Sequence, residues 1–92
     1  MSQAIPQPIP KILMYCTHVC PYCTMAERLL VKKNVPIDKV FVDDAPEQRE
    51  EMMRITQRRT VPQIFIGDRH VGGYTDLAAL DQSGELDTLL GR

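Results

Sequence analysis

The 92-residue sequence has no tryptophan, and its aromatic residues are limited to three tyrosines and two phenylalanines. The core of one small domain must therefore be built mainly from Leu, Ile, Val and Met. Its 11 basic and 12 acidic residues leave a formal net charge of -1, so no basic field predicts nucleic-acid binding. No apolar run approaches the roughly 20 residues that a membrane helix needs, so we expect no membrane partner.

The N-terminus, "MSQAIPQPIP", also lacks the basic region and the sustained apolar run of a signal peptide. Its prolines disfavour helix and strand, so we predict a flexible arm over residues 1–10 and a single domain over 11–92. Without a signal, we expect a cytoplasmic protein. In that compartment two close cysteines are more often catalytic, redox-sensing or metal-binding than a structural disulfide.

The apolar pattern changes between strand and helix periodicity several times along the chain. The predicted elements are, in order, a strand over 11–16, a helix over 21–33, a strand over 37–42, a helix beginning near Asp44, a hairpin turning at Gly67-Asp68, and two short helices divided near Ser83-Gly84. The first three elements form a βαβ unit with parallel strands. The fold class is therefore α/β, a four-stranded mixed β-sheet, in which a hairpin follows the βαβ unit, with helices on both faces.

Local signals predict where the helices begin and end. Asn34 is expected to adopt a left-handed conformation after the first helix. A capping-box-like start to the second helix is predicted from Asp44, Pro46 and Glu47. The side chains of that helix that we expect to face inward are Met52, Met53 and Ile55.

All three cysteines lie in "YCTHVCPYC", residues 15–23. The spacing C-x3-C-x2-C resembles three ligands of an iron–sulfur cluster, whereas "CPYC" alone is a redox dithiol. Three ligands would require Cys16, at the end of a strand, to converge with a helix start. The radical enzymes with this spacing also need a barrel far larger than this chain can form. The sequence therefore favours the dithiol, with Cys16 as a small buried residue rather than a regulatory thiol.

Cys20 is predicted to be the N-cap of the first helix, because Pro21 suits the first helical position. Its sulfur would face the free N–H groups of Tyr22 and Cys23 and the positive end of the helix dipole, which favour a thiolate. Cys23 is expected to remain a protonated thiol. A stabilised thiolate gains more as a leaving group than as an attacking group. The site is therefore suited to forming a mixed disulfide at Cys20 and releasing it again.

"CPYC", followed by "TVPQIFI" and "GGYTDLAAL", resembles the dithiol (CPYC) class of the glutaredoxin family, in its bacterial glutaredoxin-3-like branch, over about residues 11–90. The resemblance implies the thioredoxin-like fold and glutathione-dependent reduction of protein disulfides and protein–glutathione mixed disulfides. It implies that Cys20 is the nucleophile, that Cys23 is the resolving thiol, and that the two form the redox-active disulfide. Glutathione is then a co-substrate maintained by the glutathione reductase system. We expect no metal, and a monomer whose partners are disulfide-bonded or glutathionylated proteins.

The resemblance also implies a glutathione groove. Its residues are Tyr22, Arg49, Val61, Pro62, Gly73, Thr75 and Asp76. Val61-Pro62 resembles a cis-proline step, whose freed Val61 backbone would pair with glutathione as a short strand. Thr75 and Asp76 open a helix that suits the γ-glutamyl end. Arg49 matches a position for the glycine carboxylate, and Arg59 is a second candidate.

Thr17 departs from the family pattern, because many relatives have lysine there. Its absence is expected to weaken either thiolate stabilisation or glutathione binding. Two other functions stay open, a glutathione-assisted [2Fe–2S] cluster-binding scaffold and a redoxin reduced by thioredoxin reductase. The scaffold is typical of relatives with a CGFS-like motif, whose glycine leaves more room than Pro21 and Tyr22. His18 and His70 are predicted to be surface residues.

Overall fold

The computed structural model describes residues 10–91. Its elements are β1 (Ile12–Cys16), α1 (Pro21–Lys32), β2 (Ile37–Phe41), α2 (Pro46–Thr56), β3 (Gln63–Ile66), β4 (Arg69–Gly72), α3 (Tyr74–Ser83) and α4 (Glu85–Leu89). This is the predicted order of elements. The predicted N-terminal arm lies outside the described residues except for Pro10. None of the helices in this part of the chain has the length and apolar character needed to cross a membrane.

The four strands form one mixed sheet in the order β2-β1-β3-β4. β1 pairs in parallel with β2 and antiparallel with β3, and β3 pairs antiparallel with β4. The predicted four-stranded mixed sheet is confirmed. Gly67 has a φ of 59° in the β3–β4 turn, which a residue without a Cβ adopts at no steric cost.

Side chains of β1 alternate between two cores, as the period of a strand requires. Ile12, Met14 and Cys16 pack in the cluster that α1, α3 and α4 cover. Leu13 and Tyr15 point to the opposite face, where α2 packs. The predicted placement of helices on both faces of the sheet is therefore confirmed.

α1 buries one stripe of its surface at helical spacing. The buried residues of this helix are Cys23, Ala26 and Leu30. Asn34 follows the helix with a φ of 60°, which confirms the predicted left-handed residue there.

The start and the inner face of α2 differ from the prediction. The N-cap is Ala45, which has no capping side chain, so the predicted capping box is wrong. Asp44 lies one residue too early, and its carboxylate instead bonds the imidazole of His18. Met52 is fully buried, but Ile55 is 38% exposed. Thr56 is buried in its place, because it lies one helical turn after Met52 and donates its hydroxyl to the Met52 carbonyl at 2.7 Å.

Gly72 allows the end of β4 to approach the first turn of α3. Its φ is 116°, a conformation that side chains with a Cβ rarely adopt. A Cβ at this position would overlap the carboxylate of Asp76 and crowd the guanidinium of Arg58. The backbone conformation therefore favours glycine, and a Cβ would displace the Asp76 carboxylate from its contact with Arg58.

Gly72→Ala is expected to lower the free energy of unfolding by about 2–4 kcal/mol, because strain and overlap add. Gly67→Ala is the matched control, since Gly67 also has a positive φ but a Cβ there would meet no other atom of residues 10–91 within 4 Å. It should cost only about 1–2 kcal/mol. Urea unfolding of both variants measures the difference, and equal losses would contradict the overlap at Gly72.

Cys16 is 1% exposed within the core, which agrees with its predicted role as a small buried residue. Burial raises the pKa of its thiol to about 11. An unfolded cysteine ionises near pH 8.5. The unfolded chain therefore releases the Cys16 proton at lower pH than the folded chain, and stability must fall as pH rises through this interval.

Cys16→Ala is expected to make the free energy of unfolding fall less steeply between about pH 8.5 and pH 11. The variant has no thiol at this position that ionises only on unfolding. Denaturant titrations of both proteins across this range, with a reductant present, measure the two slopes. Parallel slopes would show that the folded protein does not keep the Cys16 proton.

Candidate functional site

Cys20 lies at the start of α1, where the chain leaves the sheet. Its backbone is extended, Pro21 occupies the first helical turn, and the Cys23 N–H donates to the Cys20 sulfur at 3.1 Å. This confirms Cys20 as the N-cap, with its sulfur at the positive end of the helix dipole. Among residues 10–91, the Tyr22 N–H makes no corresponding hydrogen bond to this sulfur, so only one of the two predicted donors is used.

Cys23 occupies the third position of the same helical turn and is 5% exposed. Burial raises the pKa of its thiol to about 12, and its hydrogen bond with Cys20 adds to this effect. Cys23 is therefore a protonated thiol at neutral pH, as predicted. Cys20 is only partly buried, so a reagent from solvent meets Cys20 first.

The three cysteines do not share one surface. Cys16 and Cys23 are buried, and Cys20 alone is partly exposed; all three are free thiols. A ligand set that uses all of them would need the core to open. This arrangement separates Cys16 from the dithiol and gives no support to the C-x3-C-x2-C interpretation.

The Val61-Pro62 turn lies beside Cys20. Its peptide bond is cis, as the resemblance implied, and the Val61 carbonyl oxygen is 3.8 Å from the Cys20 sulfur. Within the described residues, no backbone hydrogen bond engages the Val61 N–H. The Val61 N–H is therefore free to pair with an extended ligand, while the Val61 carbonyl faces the Cys20 sulfur.

A buried polar network supports this turn from below. Gln63 is fully buried, and its amide nitrogen donates to the Thr60 carbonyl at 2.9 Å. Its amide oxygen lies 2.8 Å from the imidazole Nε2 of His70. His70 was predicted at the surface but is half-buried. Burial lowers its pKa, with a further contribution from Arg58, so His70 is held neutral beneath the groove.

The N-terminus of α3 forms the opposite wall. The Gly73 N–H donates to an Asp76 carboxylate oxygen at 2.9 Å, and the Arg58 guanidinium donates to the same oxygen at 3.0 Å. The Gly73 N–H and the Arg58 cation hold the pKa of Asp76 below its usual value. Asp76 is therefore an anion already paired at the groove wall.

These segments enclose a groove of about 320 Å³. The residues that line it are Tyr22, Arg58, Thr60, Val61, Pro62, Gly73, Tyr74, Thr75 and Asp76. It brings together every predicted groove residue except Arg49. That side chain is exposed on α2 and donates to the Arg59 carbonyl at 3.3 Å. Arg58 was missed, because the adjacent arginines in "QRRT" look alike in sequence.

His18 is exposed, as predicted, and anchors the loop before Cys20. Its imidazole lies 3.1 Å from an Asp44 carboxylate oxygen and stacks on Phe41 with ring centroids 4.2 Å apart. The backbone N–H of His18 donates to an Asp43 carboxylate oxygen at 3.1 Å. The ligand atoms of His18, Asp43 and Asp44 lie within 4.8 Å of one another. Their hydrogen bonds within the cluster explain this proximity without a metal ion.

Comparison with known proteins finds similarity to glutaredoxins, both in a family model and in individual sequences. The Glutaredoxin family model matches residues 12–71. A glutaredoxin of Neisseria meningitidis serogroup A is 54% identical over 80 residues, which cover 86% of this chain and 94% of that protein. Glutaredoxin 3 of Escherichia coli K12 is 47% identical over 77 residues, covering 84% and 93% respectively.

Among solved structures, the glutaredoxin of Brucella melitensis superposes with a TM-score of 0.81 at 42% sequence identity, covering 92% of each chain. The fold shared with such neighbours is the thioredoxin-like fold. Sequence and fold agree, and the chain belongs to the glutaredoxin family.

Proposed function

We propose that this protein is a glutathione:disulfide oxidoreductase that reduces protein disulfides and protein–glutathione mixed disulfides. Membership of the glutaredoxin family implies thiol–disulfide oxidoreductase activity and a glutathione-dependent redox role. The observation that carries the finer proposal is the asymmetry of the dithiol. Cys20 is accessible at a helix start, whereas Cys23 is buried behind it and donates its N–H to the Cys20 sulfur.

For a glutathionylated protein, one cysteine is sufficient. The Cys20 thiolate attacks the glutathione sulfur of the mixed disulfide, a new disulfide forms between Cys20 and glutathione, and the protein leaves as a thiolate. A second glutathione thiolate then attacks the glutathionyl sulfur, releasing glutathione disulfide and the Cys20 thiolate. The helix start favours this release, because it stabilises negative charge on the leaving sulfur.

For a protein disulfide, both cysteines are needed. Cys20 attacks one substrate sulfur and forms a mixed disulfide, releasing the other substrate sulfur as a thiolate. Cys23 then attacks the Cys20 sulfur and its proton passes to the departing substrate sulfur, so the Cys20–Cys23 disulfide forms and the substrate leaves with both sulfurs reduced. Two glutathione molecules then reduce the Cys20–Cys23 disulfide and leave as glutathione disulfide, which restores the dithiol. The raised pKa of Cys23 leaves this thiol protonated at neutral pH, so Cys20 rather than Cys23 makes the first attack.

Glutathione is proposed to bind in the groove beside Cys20. Its cysteine backbone pairs with the Val61 backbone in the manner of an added strand. Its γ-glutamyl carboxylate meets the N–H groups at the start of α3, near Thr75. Its ammonium pairs with the Asp76 carboxylate, which it either shares with the Arg58 guanidinium or takes over from it. Arg49 remains a proposal for the glycine carboxylate.

The remaining features are proposed from the sequence and from family membership. The protein acts as a cytoplasmic monomer without a metal, and a glutathione reductase returns its glutathione disulfide to glutathione. Its protein partners carry a disulfide or a glutathionylated cysteine.

The choice of electron donor tests the proposed activity directly. The pure protein is expected to reduce a glutathionylated substrate when glutathione, glutathione reductase and NADPH are supplied, because the groove binds glutathione. NADPH with thioredoxin reductase should not support turnover. NADPH consumption measures both reactions, with the same mixtures lacking the protein as controls. Turnover only with thioredoxin reductase would replace the proposal by the redoxin hypothesis.

Serine substitutions test the division of labour within the dithiol. Cys20→Ser should abolish both reactions, by at least about 100-fold, because it removes the nucleophile. Cys23→Ser should retain turnover of a glutathione mixed disulfide but lose most turnover of an intramolecular protein disulfide. Cys16→Ala is the control cysteine and should retain both. Equal losses of Cys23→Ser on the two substrates would contradict the role of Cys23.

A further inference from the structure

A second groove adjoins the glutathione groove and extends along α1. We call it the α1–α3 groove, and its volume is about 440 Å³. Its lining residues are Met25, Arg28, Leu29, Lys32, Lys33, Tyr74 and Asp81. Tyr74 lines both grooves and lies beside Tyr22, with ring centroids 6.3 Å apart. A chain bound at Cys20 therefore has a continuous path into the α1–α3 groove.

The α1–α3 groove carries positive charge that the described part of the protein does not neutralise. The Lys33 ammonium is 2.9 Å from the carboxylates of both Asp81 and Asp87, so these three groups together carry one net negative charge. Arg28 and Lys32 add two positive charges, which leaves this region with one net positive charge. The side chains of Arg28 and Lys32 are exposed, and neither has an ion pair or hydrogen bond within residues 10–91.

Apolar side chains surround the end of this path that lies nearest Cys20. Val19 is 91% exposed, Tyr22 is 60% exposed and Met25 is 41% exposed. Tyr22 and Met25 are three residues apart and share one face of α1, on which Arg28 follows after another three. The exposed surface of α1 thus has Tyr22 and Met25 beside the dithiol and the cations Arg28 and Lys32 further along, where Val31 is exposed as well.

We propose that the α1–α3 groove docks the polypeptide of the substrate protein, and that it selects an acidic side chain near the target cysteine. Arg28 follows Cys20 by eight residues, a helical rise of about 12 Å. An extended chain covers this distance in about four residues. The preferred substrate therefore has Asp or Glu about four positions from its reacting cysteine. This inference rests on the proposed function and adds the kind of protein partner.

Glutathione alone does not test this surface, because the residues of the α1–α3 groove other than Tyr74 lie outside the glutathione groove. The test uses three glutathionylated peptides of equal length with one cysteine each. One has Asp four positions before the cysteine, one has Asp four positions after it, and one has Asn at both places. The mixed disulfide of glutathione and free cysteine reports the basal reaction.

The wild-type protein is expected to show a kcat/KM roughly two- to fivefold higher for at least one Asp peptide than for the Asn peptide at low ionic strength, as exposed ion pairs provide. This preference should decline as salt is added, because salt screens exposed charges. The Arg28→Gln/Lys32→Gln variant should lose the preference and keep the wild-type kcat/KM for the small mixed disulfide.

The matched control removes two cations elsewhere. Lys11→Gln/Arg69→Gln changes the net charge equally, at exposed positions that pair with Asp38 and Glu85 outside both grooves. It should keep the preference for the Asp peptide. Three outcomes would each overturn the docking proposal. The first is an equal kcat/KM of the wild type for all three peptides. The others are a preference that survives in Arg28→Gln/Lys32→Gln and a preference that is lost in the control variant. Failure of the wild type to turn over the small mixed disulfide would instead overturn the proposed function.

Discussion

The hydrogen bond from the Cys23 N–H to the Cys20 sulfur is the interaction on which the site depends. It forms because Cys20 caps α1 and Cys23 occupies the third helical position, so one turn of backbone holds both cysteines. Within this turn the two cysteines have different surroundings. Cys20 stays at the mouth of the groove, whereas Cys23 packs into the core, where burial raises the pKa of its thiol to about 12.

The groove around Cys20 is assembled from segments that are distant in sequence. The paired central strands β1 and β3 bring the start of α1 close to the Val61-Pro62 turn. β4 pairs with β3 and leads through Gly72 into the start of α3. Buried polar groups help to fix the relative positions of these segments. Gln63 has its side-chain hydrogen bonds satisfied by Thr60 and His70, and a satisfied buried network favours one conformation over its alternatives. The groove thus depends on the core beneath it as much as on its lining residues.

Much of this organisation was predictable because its causes are local. The alternation of β1, the inner stripe of α1 and the turn at Gly67 follow from periodicity and backbone preference. The errors occurred where tertiary contacts compete with local signals. Asp44 was predicted to cap α2 but bonds His18, and His70 is drawn beneath the groove by Gln63. His18 and Asp44 are 26 residues apart, and Gln63 and His70 meet only once β3 and β4 have paired, so periodicity within one element indicates neither contact.

The sequence by itself determined the dithiol and its location at a helix start, because Pro21 and the three-residue spacing act within one helical turn. Only the tertiary structure decided which cations serve the site. Arg58 rather than Arg59 meets Asp76, Arg49 donates to the Arg59 carbonyl, and Arg28 is left without a carboxylate among residues 10–91. Long charged side chains reach in several directions, so their partners depend on which elements pack nearby rather than on their own positions in the chain.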